Sequence, residues 1–504
     1  MRNFKKTMSV LLAAIMAFSA FSALTVTANA AEVESSNLVN AEFGDYEYQV
    51  LDDGTAGIIK YNGSAETLTI PSKLDGYTVT SIGDSAFKEC TSLTSVSIPS
   101  GVTSIKSWAF GKCSNLTSVD FPDSVTNIGT WAFGSCNLSS LIFGKELKSI
   151  GQYAFISNKN LTSVTFNNNL KIIDKYAFST CISLKKIIIP DGVKEIGLCA
   201  FNKCTELENV TIPDSVTSIG GTAFSNTAIY KSQPDSVVYV DGWACGYNGK
   251  APENTSLSFK EGTRGIADSA FLSLPIESVT ITDSITNMGV GAFSGTGLKS
   301  AKIGNGVTSI KKETFNNCSS LTEVTIGNSV KTIGDSAFYG CSSLESIAFP
   351  DSLTSIGDSA FFRCTGLKSV VFPDNLTEIG KNAFTSCSSL ESVTIPANVT
   401  KIASTAFNVR SDSLTIYGYA DTAAENFADT KGIPFVNLSD VPSPLLGDVN
   451  GDGVLSVADA TLIQKHSASI INLTDEQLAV ADMNGDGAVN VNDATAIQRA
   501  LVNS

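Results

Sequence analysis

The sequence predicts a solenoid of stacked parallel strands, one strand per repeat of 22–23 residues, followed by a small all-α module. Three observations carry this. Phe stands at 87, 110, 133, 155, 178, 201 and 224, then at 271, 293, 315, 338, 361, 384 and 407, always 22 or 23 residues apart except for one gap of 47. The pattern Leu-x-x-Val-x-Ile returns inside the same unit, as Leu93, Val96 and Ile98 of LTSVSIP. Apolar repeats of this period build stacked coils. Past residue 438 the repeat stops, and a twelve-residue acidic segment appears twice, as DVNGDGVLSVAD and DMNGDGAVNVND.

Residues 1–30 read as a secretory signal peptide. Arg2, Lys5 and Lys6 precede an apolar run from Met8 to Leu24, and Ala28 and Ala30 are small residues before a cut at Ala31. The competing reading is a retained membrane anchor. No later run is long enough to span a membrane. The chain has 504 residues, 43% hydrophobic and 16% charged, which is globular composition too large for one ordinary core. Its net charge of −15 becomes −18 once the signal cations are removed. Such a chain is a poor ligand for nucleic acid or anionic membrane, whereas a metal cation suits it.

Residues 31–80 should hold a capping hairpin and the first strand. Tyr46 to Tyr61 places an Asp-Asp-Gly turn between alternating segments. The solenoid proper is expected over 81–415. In each unit the Val-x-Ile alternation faces one side, Pro99 or its equivalent ends the strand, and turn residues follow. Val102, Ile105, Ala109 and Phe110 then close the next coil. One unit cannot enclose its own Leu, Val, Ile and Phe, so stacking buries them in a continuous column. About fourteen strands at about 4.8 Å each give a rod roughly 70 Å long. The 47-residue gap makes 227–263 irregular. It is either a degenerate repeat with a longer hairpin or a ligand-binding insertion in which Trp243 and Tyr247 stand exposed. Residues 416–438 should form a capping helix and strand.

Nine of eleven cysteines lie three residues after the Phe: Cys90, Cys113, Cys136, Cys181, Cys204, Cys318, Cys341, Cys364 and Cys387. Asn158 and Thr227 occupy the same register, so the position calls for a small buried residue rather than a disulfide partner. Cys199 and Cys245 fall outside the ladder. With its IGxxAFxxCxxLxxVxIP pattern, the unit resembles the BspA-like leucine-rich repeats. That resemblance implies an α/β-type leucine-rich repeat solenoid, usually on a secreted or surface protein, and no fixed activity.

Catalysis finds no footing. The single histidine, His466, lies outside the repeats. That excludes a Ser-His-Asp or Cys-His site and a histidine-based zinc site in the solenoid. Asp123, Asp191, Asp214, Asp351 and Asp374 each follow the strand-ending Pro, where a turn accounts for them. The outward strand positions (Ser95/Ser97, Ser118/Asp120, Ser163/Thr165, Asn209/Thr211 and their successors) are small and polar, without the aromatic and Arg anchors of specific interfaces. No catalytic residue is assigned, and the chain is not expected to be an enzyme.

Residues 439–446, with two prolines and followed by Gly447, read as a linker, and 447–504 as the module. Each acidic loop reads D-x-N-x-D-G-x5-D, the oxygen-rich spacing that calcium requires from positions 1, 3, 5, 7, 9 and 12. The first loop offers Asp448, Asn450, Asp452, the carbonyl of Val454, Ser456 through water, and Asp459. The second offers Asp482, Asn484, Asp486, the carbonyl of Ala488, Asn490 and Asp493. Two calcium ions are expected. The prolines and glycine forbid a helix before the first loop; helices should follow each loop, and a third should start at Thr474 with a Thr474/Gln477 capping box. The module resembles a type I dockerin. The resemblance implies docking to the cohesin module of a scaffoldin through Val457, Ala458, Gln464 and Lys465, and through Val491, Asn492, Gln498 and Arg499. The frequent Ser-Thr pair at the first of these positions is absent. The expected protein is therefore an extracellular, non-catalytic bacterial cellulosome component, whose solenoid binds an unknown protein or cell-wall ligand. The alternatives are a carbohydrate-binding solenoid and an unrecognised hydrolase carried on the dockerin.

Overall fold

A computed structural model describes residues 40–408, 414–440 and 445–503. The expected signal peptide lies outside the described residues. The chain winds into a parallel-strand solenoid of about sixteen turns, with helices towards its C-terminal end.

One turn shows how the repeat works. Ser95–Ser97 forms a three-residue strand that pairs in parallel with Thr67–Thr69 on one side and Ser118–Asp120 on the other. Pro99 has no N–H to continue the ladder, and its carbonyl accepts from Val102 N at 3.0 Å, turning the chain. A second strand follows, Ser104–Ile105, paired in parallel with Tyr77–Ile82 and Asn127–Ile128. This second strand is an addition to the one per repeat that the spacing predicts. Two residues with one inward Ile are too short to register as alternation. The short strands join the N-terminal cap in an eleven-stranded sheet that runs to Ser218–Ile219.

Among the described residues, the remaining side of each regular turn carries no helix. It is built from tight turns with two left-handed residues each, such as Trp108 (φ 59°) and Lys112 (φ 62°) around Ala109-Phe110. Phe87 N donates to Ala109 O and Phe110 N to Ala132 O, both at 2.7 Å, so this side too is hydrogen-bonded from turn to turn. The Phe rings are buried and stack with centroids 4.7–5.5 Å apart and planes within 13°. Burying each ring contributes about 1.5–3 kcal/mol, and each stacked pair about 0.5–1.5 kcal/mol more.

The N-terminal cap is a three-stranded antiparallel meander. The expected hairpin of Tyr46–Val50 with Ala56–Tyr61 is joined by Asn40–Phe43, which the sequence reading did not anticipate. At 227–263 the chain makes a one-turn helix α1 (Ala228–Lys231) and a hairpin of Val237–Val240 with Trp243–Tyr247. Trp243 is 1% exposed and fills the interior, so it offers no surface for a ligand to stack on. Arg264 locks this turn to its predecessor through Asp214 and the carbonyl of Ile212. The Phe column skips this turn, and the apolar core separates into two clusters on either side of it. The C-terminal cap is helix α2 (Ala423–Lys431), stopped by Gly432 at φ 65°, and strand Phe435–Asn437. Phe427 closes the column edge-on over Phe407, at 5.7 Å and 77°.

Candidate metal centre and docking surface

All eleven cysteines are free, and nine are buried; Cys90 at the first turn and Cys199 are half-buried. Ladder cysteines do more than fill space. The thiol of Cys113 donates to Phe87 O at 3.0 Å, Cys204 to Phe178 O at 3.2 Å, and Cys364 to Phe338 O at 3.1 Å. Where Asn158 replaces Cys, its amide donates to Phe133 O and Phe155 O, both at 2.9 Å; Thr227 donates to Phe224 O at 2.6 Å. Cys, Asn and Thr thus interchange there as small side chains with a hydrogen to give, whereas Leu274 fills the same register after Phe271 by apolar packing alone. Burial pushes the Cys204 and Cys387 thiols up to about 12, far from a reactive thiolate.

The outward strand face is polar as expected at Ser95, Ser118 and Ser163. Three apolar residues interrupt it: Ile142, Ile188 and Val371, all more than half exposed. A groove of about 520 Å³ opens beside Ile188, between Thr162–Phe166 and Lys186–Asp191. It holds no paired carboxylates and no base beside a nucleophile.

The acidic loops are built alike. In the first, Asp448 turns inward and accepts from Asp452 N at 3.2 Å and Gly453 N at 2.7 Å. Asp459 is fully buried and accepts from Asn450 N and Ser456 N, both at 2.9 Å. In the second, Asp482 accepts from Asp486 N at 3.1 Å and Gly487 N at 2.9 Å, and fully buried Asp493 from Asn484 N at 3.1 Å and Asn490 N at 2.9 Å. Gly453 and Gly487 take φ of 81° and 83°, where a side chain would strain the turn.

Helix α3 (Val457–Ser467) leaves the first loop and α5 (Val491–Asn503) the second, with α4 (Asp475–Ala481) between them. The Thr474/Gln477 capping box is present, and α3 starts at Val457, two residues before the loop ends at Asp459, because Ser456 caps it. Ala460 and Ile463 face Ala494 and Ile497 in a small core with Val449 and Ala481. Gln477 ties α4 to the first loop through Val449 O at 3.0 Å.

Among the described residues, no three Asp, Glu, His or Cys side chains stand close enough to hold a metal by themselves. Asp452 instead accepts from Val454 N and Asn450 Nδ2, each at 2.9 Å. The chemistry of the donor set nevertheless fits a hard divalent cation. Every side-chain candidate is an oxygen donor, and Asp459 and Asp493 are buried carboxylates with no ion-pair partner among the described residues. Val457, Ala458, Gln464 and Lys465 lie exposed on α3, as do Val491, Asn492, Gln498 and Arg499 on α5.

A profile of the BspA type leucine rich repeat region matches residues 80–197, 171–299 and 286–415, with six copies, and one of the dockerin type I domain matches 446–502. No protein of curated function matches. Among solved structures, a leucine-rich repeat protein from Bacteroides ovatus is 27% identical, covering 75% of this chain and 99% of its own, with a TM-score of 0.34. A leucine-rich cell surface protein from Faecalibacterium prausnitzii is 25% identical over 77% of this chain and 97% of its own, with a TM-score of 0.30. The pneumococcal vaccine antigen PcpA is 18% identical over 79% and 98%, with a TM-score of 0.36.

Proposed function

Since the chain belongs to the BspA-type leucine-rich repeat family and ends in a type I dockerin domain, we propose that it is a secreted, non-catalytic component of a cellulosome. The dockerin docks to a scaffoldin cohesin, and the solenoid presents a surface to another partner. The observation that carries this is the doubled loop, with the same inward carboxylates, the same glycine turn and the same outgoing helix in each copy.

Two calcium ions fit this reading. Asp448, Asn450, Asp452, the Val454 carbonyl, Asp459 and a water on Ser456 would hold the first. Asp482, Asn484, Asp486, the Ala488 carbonyl, Asn490 and Asp493 would hold the second. Bound calcium supplies the positive charge that the buried carboxylates lack, so folding of 447–504 is linked to it. The carboxylates hold the loop turns and cap the helices, which sets the exposed faces of α3 and α5 side by side. Those faces, Val457, Ala458, Gln464 and Lys465 with Val491, Asn492, Gln498 and Arg499, form the cohesin surface. We divide the chain into cap (31–80), solenoid (81–415), C-terminal cap (416–438), linker (439–446) and dockerin (447–504).

The test is cohesin binding by the full chain with calcium and with excess chelator, alongside hydrogen exchange. Chelation is expected to abolish binding and raise exchange in 447–503 while the solenoid stays protected. Undiminished binding in chelator would refute the proposal.

A further inference from the structure

An acidic chain carries a basic strip at the middle of its first half. From residue 145 to 203 there are nine lysines against Glu146, Asp174, Asp191 and Glu195. Three of those lysines share one register. Lys148, Lys171 and Lys194 each stand just before the two-residue strand of successive turns. Their backbones are bonded in series: Lys148 N to Thr126 O at 2.8 Å, then Lys171 N to Lys148 O, Lys194 N to Lys171 O and Thr217 N to Lys194 O, each at 2.9 Å. The turns are one ring spacing apart, 5.4 Å for Phe155–Phe178 and 5.5 Å for Phe178–Phe201. All three side chains are exposed.

Most other regular turns put Thr at this register, as at Thr103, Thr126, Thr217, Thr354 and Thr377. There the hydroxyl donates to the backbone of the preceding turn: Thr126 to Thr103 O and Thr377 to Thr354 O, both at 3.0 Å. Three consecutive turns give up that bond and align like charges, which costs stability unless an anion lies along them. The neighbouring lysines show that carboxylates are within reach where the fold wants them: Lys145 pairs with Asp123 at 2.9 Å and Lys185 with Glu206 at 3.8 Å. Among the described residues Lys148, Lys171 and Lys194 form no ion pair.

We propose that Lys148, Lys171 and Lys194 form a binding strip for a linear polyuronate, a polysaccharide with one carboxylate on each ring. The pitch of the strip is one cation per turn, and an extended polyuronate presents single negative charges at a repeat comparable with the strand spacing of about 4.8 Å. Ile172, 41% exposed beside the central lysine, gives an apolar contact for a sugar ring. Nucleic acid fits less well. The rings stacked on this half, Trp108 on Trp131 and Tyr153 on Tyr176, cover one another's faces and leave no platform for bases. The chain's net charge also opposes a phosphate-dense duplex. The proposal rests on the solenoid being an interaction module, and not on cohesin docking.

The experiment is calorimetric titration of the full chain with galacturonate oligomers of about ten rings, at low salt and with calcium only sufficient for the dockerin. The variant is K148T/K171T/K194T, which restores the residue common at this register and its turn-to-turn bond, so the fold is retained. Wild type is expected to bind, and the variant at least tenfold more weakly. Methyl-esterified oligomers should not bind, and poly-glutamate should bind at least tenfold more weakly than the uronate. Equal binding by variant and wild type overturns the strip. Poly-glutamate binding as tightly as the uronate, or an oligonucleotide doing so, overturns the polyuronate assignment. Cohesin binding measured on both proteins separates the outcomes, because loss of docking with retained uronate binding refutes only the dockerin reading.

Discussion

Replacing Cys364 by valine decides between two accounts of the cysteine ladder. Cys364 is fully buried, and its thiol donates to Phe338 O at 3.1 Å. Valine keeps the apolar bulk and removes the donor. Phe338 O keeps its bond from Cys341 N at 3.3 Å, so the carbonyl is weakened rather than orphaned. The lost bond is worth about 0.5–1 kcal/mol, at the low end because a thiol is a weak donor. Fitting a branched side chain into a tight column adds about 0.5–1 kcal/mol. Cys364→Val should therefore cost about 1–2 kcal/mol. Cys364→Thr keeps a donor, which can turn to Phe361 O as Thr227 does to Phe224 O, and should cost less than valine. The assay is guanidinium unfolding of the full chain with calcium and a reductant, followed by circular dichroism, with midpoints compared at constant slope. If valine is as stable as cysteine and threonine is worse, the position selects only small apolar volume and the donor argument fails.

Thr180→Gly should stabilise the solenoid by up to about 1 kcal/mol, because a β-branched residue sits there at φ 63° while Gly295 and Gly340 fill the same register; a raised unfolding midpoint is the readout. Desolvation raises the carboxyl pKa of Asp268, which accepts from Val290 N at 2.8 Å. The folded state therefore holds this proton more tightly than the unfolded chain, and the contribution is present at low pH and lost as pH rises through the elevated value. Asp268→Asn should gain stability relative to wild type at pH 7 compared with pH 4 in the same unfolding assay; an unchanged difference between the two pH values would count against it.

Much of this was legible from spacing. The Phe and Leu-x-x-Val-x-Ile periods located every regular turn because each apolar position has one partner above and one below. The doubled D-x-N-x-D-G-x5-D loop was legible for a different reason, because its residues stand at fixed offsets in both copies, and the Thr474/Gln477 capping box because it is local; the Ser456 cap shows only in the fold. Harder features lacked a local signal. The second strand is two residues long, below any alternation. The strand Asn40–Phe43 adds to a hairpin edge that only the tertiary fold exposes. Trp243 follows a turn at Asp241-Gly242 yet is buried, because its strand pairs with Gly265 of the next turn and the indole packs where that glycine has no side chain. The donor role of the ladder cysteines shows only when Phe carbonyls of the previous turn are placed. The lysines at 148, 171 and 194 follow the same period, one residue before the two-residue strand of each turn, but charge at an exposed position carries no apolar signal.

The turn-to-turn bonding of Phe N–H to Ala carbonyl makes length an independent variable of this architecture. Each unit offers its successor the same donor, acceptor and ring that it receives from its predecessor. Duplicating or deleting one unit of 22 or 23 residues thus changes the rod by a single ring spacing and leaves the caps with familiar neighbours. Gene duplication acts on such a chain as a ruler with a fixed graduation, able to set the distance between its two ends without designing a new interface.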